Sequence, residues 1–111
     1  MTTTHDFKDG NGPVPAHQHR NGGGWVADTA SVAMTAYVGP DAEVFGDARV
    51  SDYARIFDSA RIFDRAWVFD NAQVYGHAQV YDDAWVSDDA QVFDRGQVYG
   101  DAQVFGNAQV N

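Results

Sequence analysis

The sequence predicts an all-β solenoid, a tube of short strands stacked turn upon turn, and two observations carry that prediction. From Val26 to Val110 every sixth residue is valine or isoleucine, without exception. Two residues before each stands alanine or glycine, and two residues after it aspartate or glycine is the usual choice. A helix would need apolar residues three and four apart, and this spacing never supplies them. Residues two apart share one face of a strand, so Ala and Val point inward together. Aspartate and glycine are turn residues, because they tolerate left-handed backbone or bond to their own main chain. A strand and a bend every six residues describe a solenoid in which each rung buries its inner face against the next. The core is small and β-branched, as a narrow tube requires, and the chain contains no leucine.

Taken in order, residues 1–23 form a leader and residues 24–111 the hexapeptide repeat. The leader MTTTHDFKDGNGPVPAHQHRNGG is polar, carries three of the four histidines and has no periodic apolar pattern. It is expected to fold as an irregular cap over the first coil. Phe7 and Val14 would supply its apolar contacts, and Pro13 and Pro15 suit an edge because they carry no backbone donor. From Gly24 onward the hexad never slips, and it stops in mid-phrase at Val110 and Asn111. With no capping composition there, that end is expected to dock on a partner or on another copy.

Sixteen acidic residues against seven basic ones give a net charge of −9. That balance argues against direct contact with nucleic acid or an anionic membrane, both of which need Lys and Arg. The acids concentrate late: between residues 66 and 111 seven acids face only Arg95. No cysteine is present, which excludes disulfides and thiolate metal sites. No secretory signal and no membrane-length apolar run is found, so a cytoplasmic location is expected, or a place within a larger assembly.

The stretch ARIFDSARIFDRAWVFDNAQV and its neighbours resemble the hexapeptide-repeat, left-handed β-helix proteins (transferase-hexapeptide-like). The GDARV phrase and the Gly23-Gly24-Trp25 lead-in are closest to uncharacterised repeat proteins of bacteria and phages. The resemblance implies a single-stranded left-handed parallel β-helix with three hexads per triangular coil, about eighteen residues, and about five coils in all. Trp67 with Trp85, and Asp70 with Asp88, are spaced accordingly. It also implies trimers packed side by side, and it leaves an extracellular or phage-borne assembly open. One departure stands out: the residue directly after the aliphatic is mostly aromatic here, where many relatives carry a small or acidic one.

Wrapping the chain at that period sorts its outer residues into columns. Phe57, Tyr75 and Phe93 form one; Phe45, Phe63, Tyr81 and Tyr99 a second; Ser51, Phe69, Ser87 and Phe105 an interrupted third. Gln73, Gln91 and Gln109 should stack, as should Gln79 and Gln97, through amide bonds between rungs. Aromatic columns hold coils in register and, where exposed, mark interfaces. The candidate interface is therefore Phe45, Phe57, Phe63, Tyr75, Tyr81, Phe93 and Tyr99, with Val104 and Val110 at the C-terminal end. The candidate acidic surface is Asp70, Asp82, Asp83, Asp88, Asp89 and Asp101, read first as solvated turn residues that cap the bends, although carboxylates stacked so closely would also repel or share a cation.

Tested residue by residue, an enzyme finds little support. The resemblance implies a histidine base in the transferases and a three-histidine zinc site in a carbonic anhydrase, yet the repeats hold only His77. His17 and His19, spaced H-x-H, could bind a metal weakly, but a polar leader explains them as well. No catalytic residue, metal ligand or cofactor site is assigned, and an acyltransferase-like enzyme ranks third. The favoured reading is a non-catalytic structural or protein-binding module that associates with itself, a trimer above all, or with another protein. The alternative is an acidic inhibitor, a rod that mimics nucleic acid and fills a basic groove.

Overall fold

The computed structural model describes residues 3–111, and these form an all-β parallel solenoid with no helix. Three sheets make its sides. Sheet 1 contains β1 (Thr4–Asp6), β2 (Pro13–Gln18), β3 (Trp25–Ala27), β6 (Glu43–Val44), β9 (Arg61–Ile62), β12 (Gln79–Val80) and β15 (Gln97–Val98). Sheet 2 contains β4 (Ser31–Val32), β7 (Arg49–Val50), β10 (Trp67–Val68), β13 (Trp85–Val86) and β16 (Gln103–Val104). Sheet 3 contains β5 (Tyr37–Val38), β8 (Arg55–Ile56), β11 (Gln73–Val74), β14 (Gln91–Val92) and β17 (Gln109–Val110). Strands three apart in sequence are neighbours and run parallel. Val68 pairs with Val50 and Val86, and Val74 with Ile56 and Val92, so each coil is three hexads.

Each hexad does the same work. Its Ala and Val point inward, and from Ala36 to Val92 every one of them is buried, most to zero exposure. Burying a Val side chain is worth about 1.5–3 kcal/mol, and here the gain repeats six residues at a time. The aromatic residue closes a turn by accepting the amide of the next alanine, as in Ala66 N to Phe63 O at 3.3 Å. Between them stands the residue of unusual backbone. Asp52, Asp58, Asp64, Asp70, Asp82, Asp88 and Asp94 all have φ of 56–60°. Gly46, Gly76, Gly100 and Gly106 take the same role with φ of 63–69°. Left-handed backbone costs most residues free energy, and Asp and Gly least, which is why these two alternate.

The corner aspartates also tie the coils together. Asp52 Oδ2 accepts the Asp70 amide (3.2 Å), Asp70 Oδ2 the Asp88 amide (3.3 Å) and Asp88 Oδ2 the Gly106 amide (2.9 Å). A second corner repeats the device from Asp64 to Asp82 (3.3 Å) and from Asp82 to Gly100 (3.0 Å). A backbone donor facing away from the strand ladder therefore finds a charged acceptor on the coil before it. Within the candidate acidic surface Asp70, Asp82 and Asp88 are turn residues aimed at an amide of the neighbouring rung, whereas Asp83 pairs with Arg65 and Asp89 and Asp101 are exposed.

The leader is not irregular. β1 and β2 form an antiparallel hairpin, and β2 pairs antiparallel with β3, so the cap continues sheet 1 as regular strand. Prolines inside β2 are tolerated because its two halves serve different neighbours. Pro13 and Pro15 oppose β1, while Ala16 to Gln18 oppose β3. Pro15 needs only its carbonyl, which accepts the Asp28 amide at 2.9 Å. The loop that follows covers the edge of sheet 3: Val38 donates to Asn21 O and Gly24 donates to Val38 O, both at 3.0 Å. Glycine is required at this approach, since a Cβ on Gly22 would lie 2.1 Å from Val38 O.

Phe7 completes the cap. In the first coil the ring position is occupied by Ala27, and Phe7 fills that vacancy, stacked on Phe45 at 4.8 Å. Around it His5 stacks on Trp25 at 4.6 Å and donates to Glu43 Oε2 at 2.8 Å. Arg61 Nε stands 3.2 Å from Glu43, close enough to attract but not aligned as a hydrogen bond, while its Nη2 donates to Phe7 O.

Candidate protein-binding face

Two sheets keep their rings packed face to face. On sheet 1, Phe7, Phe45, Phe63, Tyr81 and Tyr99 stack at 4.8–5.5 Å with planes within 20°. On sheet 3, Phe57, Tyr75 and Phe93 stack at 4.8 and 5.5 Å. Stacking hides ring faces, so Phe57, Phe63, Tyr75, Tyr81 and Phe93 are half-buried. Tyr99 is exposed, whereas Phe45, expected on an interface strip, is buried beneath Phe7 and unavailable to a partner. Val104 and Val110 point inward and pack half-buried against the core.

The glutamine columns are in register, Gln73 beside Gln91 beside Gln109, but no amide ladder forms among the described residues. The tyrosines reach them instead: Tyr75 donates to Gln91 Oε1 (3.3 Å) and Tyr81 to Gln97 Oε1 (3.4 Å). A phenol on the adjoining column reaches one coil forward, and it takes the carbonyl that a stacked amide would have used.

Sheet 2 is different. Ser51 and Ser87 interrupt its ring column, so Phe69 and Phe105 have no ring one coil away on which to stack. Trp67 and Trp85 stand one residue before the aliphatic on successive coils, and Trp67 turns into the gap at Ser51. Trp67 donates Nε1–H to Ser51 Oγ at 3.0 Å and lies 4.5 Å from Phe69. Trp85 presents an edge to both, at 5.4 Å from Trp67 and 6.2 Å from Phe69, with planes near perpendicular. The result is an aromatic cluster of Trp67, Phe69 and Trp85, the last 41% exposed, and Phe105 stands 62% exposed two coils on from Phe69. None of these four residues belongs to the interface strip that the sequence predicts. The signal was present: serines alternate with Phe in one column only, and the two tryptophans stand beside that column.

Carboxylates border this face on both sides. Along the corner between sheets 1 and 2 lie Asp82, Asp83 and Asp101; along the corner between sheets 2 and 3 lie Asp70, Asp88 and Asp89. Asp70, Asp82 and Asp88 are the left-handed residues that bond between coils. Asp83 pairs with Arg65 Nε at 2.9 Å, while Asp89 and Asp101 are exposed. The corner between sheets 3 and 1 is mixed, with His77 and Arg95 beside Asp94.

The H-x-H pair of the leader is divided by its surroundings. His17 bonds Asp28 Oδ1 at 2.8 Å on the surface, and His19 is buried, donating from Nε2 to Ala36 O at 2.8 Å. Both histidines fasten the hairpin to the first coil. Among the described residues no group of three or more His, Asp and Glu side chains is placed to hold a metal ion.

Stacked coils with a small-residue interior agree with comparison to known families. The YdcK β-solenoid repeat matches residues 72–88 and, overlapping them, 78–94. The chain is a β-solenoid repeat protein. No curated protein and no solved structure matches it. The matched repeats span Trp85 together with Asp82, Asp83, Asp88 and Asp89 of the acidic borders.

Proposed function

We propose that this solenoid is a non-catalytic structural and protein-binding module. The observation that supports the reading is how the side chains are employed. Aspartates, the commonest ionisable residues, bond between coils, and the histidines of the leader fasten the cap. Among the side chains facing outward are large aromatics, Tyr53, Trp85, Tyr99 and Phe105, of the kind that anchor interfaces. Self-association is the narrower form of this reading, with a trimer as the expected assembly. It would use sheets 1 and 3, whose shared corner is the one that carries Arg95 and His77 beside its acids. Light scattering behind size exclusion tests the self-association, and calorimetry with acetyl-CoA tests the absence of acyl transfer. A mass above one chain and no heat of binding are expected. Saturable heat with acetyl-CoA would overturn the non-catalytic reading.

A further inference from the structure

We propose that the outer face of sheet 2 docks a basic protein segment, one with apolar side chains between its lysines or arginines. The inference rests on the protein-binding reading and names the surface and the chemistry of the occupant. Two independent features point there. The first is the cluster of half-buried Trp67 and Phe69 with exposed Trp85, which the serine interruptions keep from stacking flat, and exposed Phe105 farther along the same sheet. The second is that both borders of this face carry an excess of acid: Asp70, Asp88 and Asp89 on one side, and Asp82, Asp83 and Asp101 against the single Arg65 on the other. An aromatic centre between two negative borders, with Arg49 over Trp67 at its N-terminal end and the part around Trp85 without a cation, is the complement of an apolar stripe between two positive ones. The centre would supply affinity and the borders orientation and rate of encounter.

Charge also decides against a second copy on this face. The chain carries −9 overall, and most of its arginines are already engaged. Arg49 lies over Trp67, Arg55 over Tyr37 and Phe57, Arg61 over Phe45 and Phe63, and Arg65 pairs with Asp83. Another copy docked by this same face would set its acidic borders against these, an excess that Arg49 and Arg65 offset only in part. The bordering acids are well placed for a cationic partner, because Asp70 and Asp88 are held by their bonds to the next coil. A fixed carboxylate loses little freedom on binding, and it can accept further bonds on its remaining lone pairs.

The test uses the full chain and two fluorescein-labelled helical peptides, one with a leucine stripe flanked by lysines and one with glutamates in place of the lysines. Fluorescence anisotropy is followed at low and at high salt. The lysine peptide should bind, more weakly as salt rises, and the glutamate peptide should not. Trp85→Ser with Phe105→Ser should weaken binding about tenfold or more, with the circular dichroism unchanged. Asp88→Asn with Asp89→Asn should weaken it several-fold and flatten the salt dependence. Asparagine at 88 keeps an oxygen for the Gly106 amide, so this variant removes charge and leaves the coil bonded. Equal binding by the Trp85→Ser, Phe105→Ser variant would place the peptide elsewhere and overturn the assignment, while leaving the protein-binding reading intact. Equal binding of both peptides would overturn it as well. So would an oligomer that dissociates on Trp85→Ser, since a second copy would then be the occupant.

Discussion

Asp70 does two jobs at once: it holds a left-handed backbone at φ 58° and accepts the Asp88 amide from the following coil. The two can be separated by substitution. Asp70→Gly keeps the backbone and loses the bond, and should cost about 1 kcal/mol or less in urea denaturation. Asp70→Val loses both, and it puts a β-branched residue where such residues are strained. It should cost about 1–3 kcal/mol, read from the shift in the urea midpoint. Inside the tube the requirement is volume. Ile62 is fully buried between Val44 and Val80, and Ile62→Ala should cost about 2–5 kcal/mol. Equal midpoints for Asp70→Gly and Asp70→Val would remove left-handed backbone from the explanation of the Asp and Gly alternation.

The hairpin β1–β2 shows where sequence patterns stop being informative. Within the repeat every element was legible, because inward Ala and Val, the aromatic and the corner Asp recur at one period. The columns Phe57–Tyr75–Phe93 and Phe45–Phe63–Tyr81–Tyr99 follow from that period alone. The leader offered no such pattern. β2 serves β1 with one half and β3 with the other, so Pro13 and Pro15 look like strand breakers although they sit where no donor is needed. A subtler clue went unread: the first coil has Ala27, Ala33 and Gly39 where later coils carry rings, and Phe7 fills the vacancy at Ala27. The glutamine bonds were misread for a related reason, since column membership fixes the register but not which neighbour a side chain chooses. Phe7→Ala should accordingly loosen the hairpin and leave the tube folded. Hydrogen exchange at the Asp28 amide, which donates to Pro15 O, should quicken, while exchange at Phe69, which donates to Val86 O, stays slow. Gly22→Ala should quicken exchange at Val38, whose amide bonds Asn21 O, by pushing the loop off the sheet edge. Unchanged exchange at both amides would show that the hairpin is not held by these contacts.

At the scale of the whole molecule, the solenoid is a stiff acidic body with an extent of 42 × 27 × 20 Å and three unlike sides. Sheet 1 is finished at one end by the hairpin, sheet 3 keeps its rings stacked, and sheet 2 raises Trp85 between two rows of carboxylates. The fold was readable in the sequence because one repeated physical problem, filling a narrow tube, has few solutions. The face on sheet 2 is legible only as a break in the repeat, Ser51 and Ser87 beside two tryptophans, and the period by itself does not pick it out. A module of this kind acts through what it holds on its sides, so its state of association in solution bears most directly on the central claim. Light scattering behind size exclusion across a wide concentration range is the decisive measurement. A mass that is a fixed multiple of 12.1 kDa at every concentration, three copies being the expected number, would support association through the ring-bearing sides. A mass of one chain throughout would contradict self-association and leave the basic partner on sheet 2 to account for the exposed aromatics.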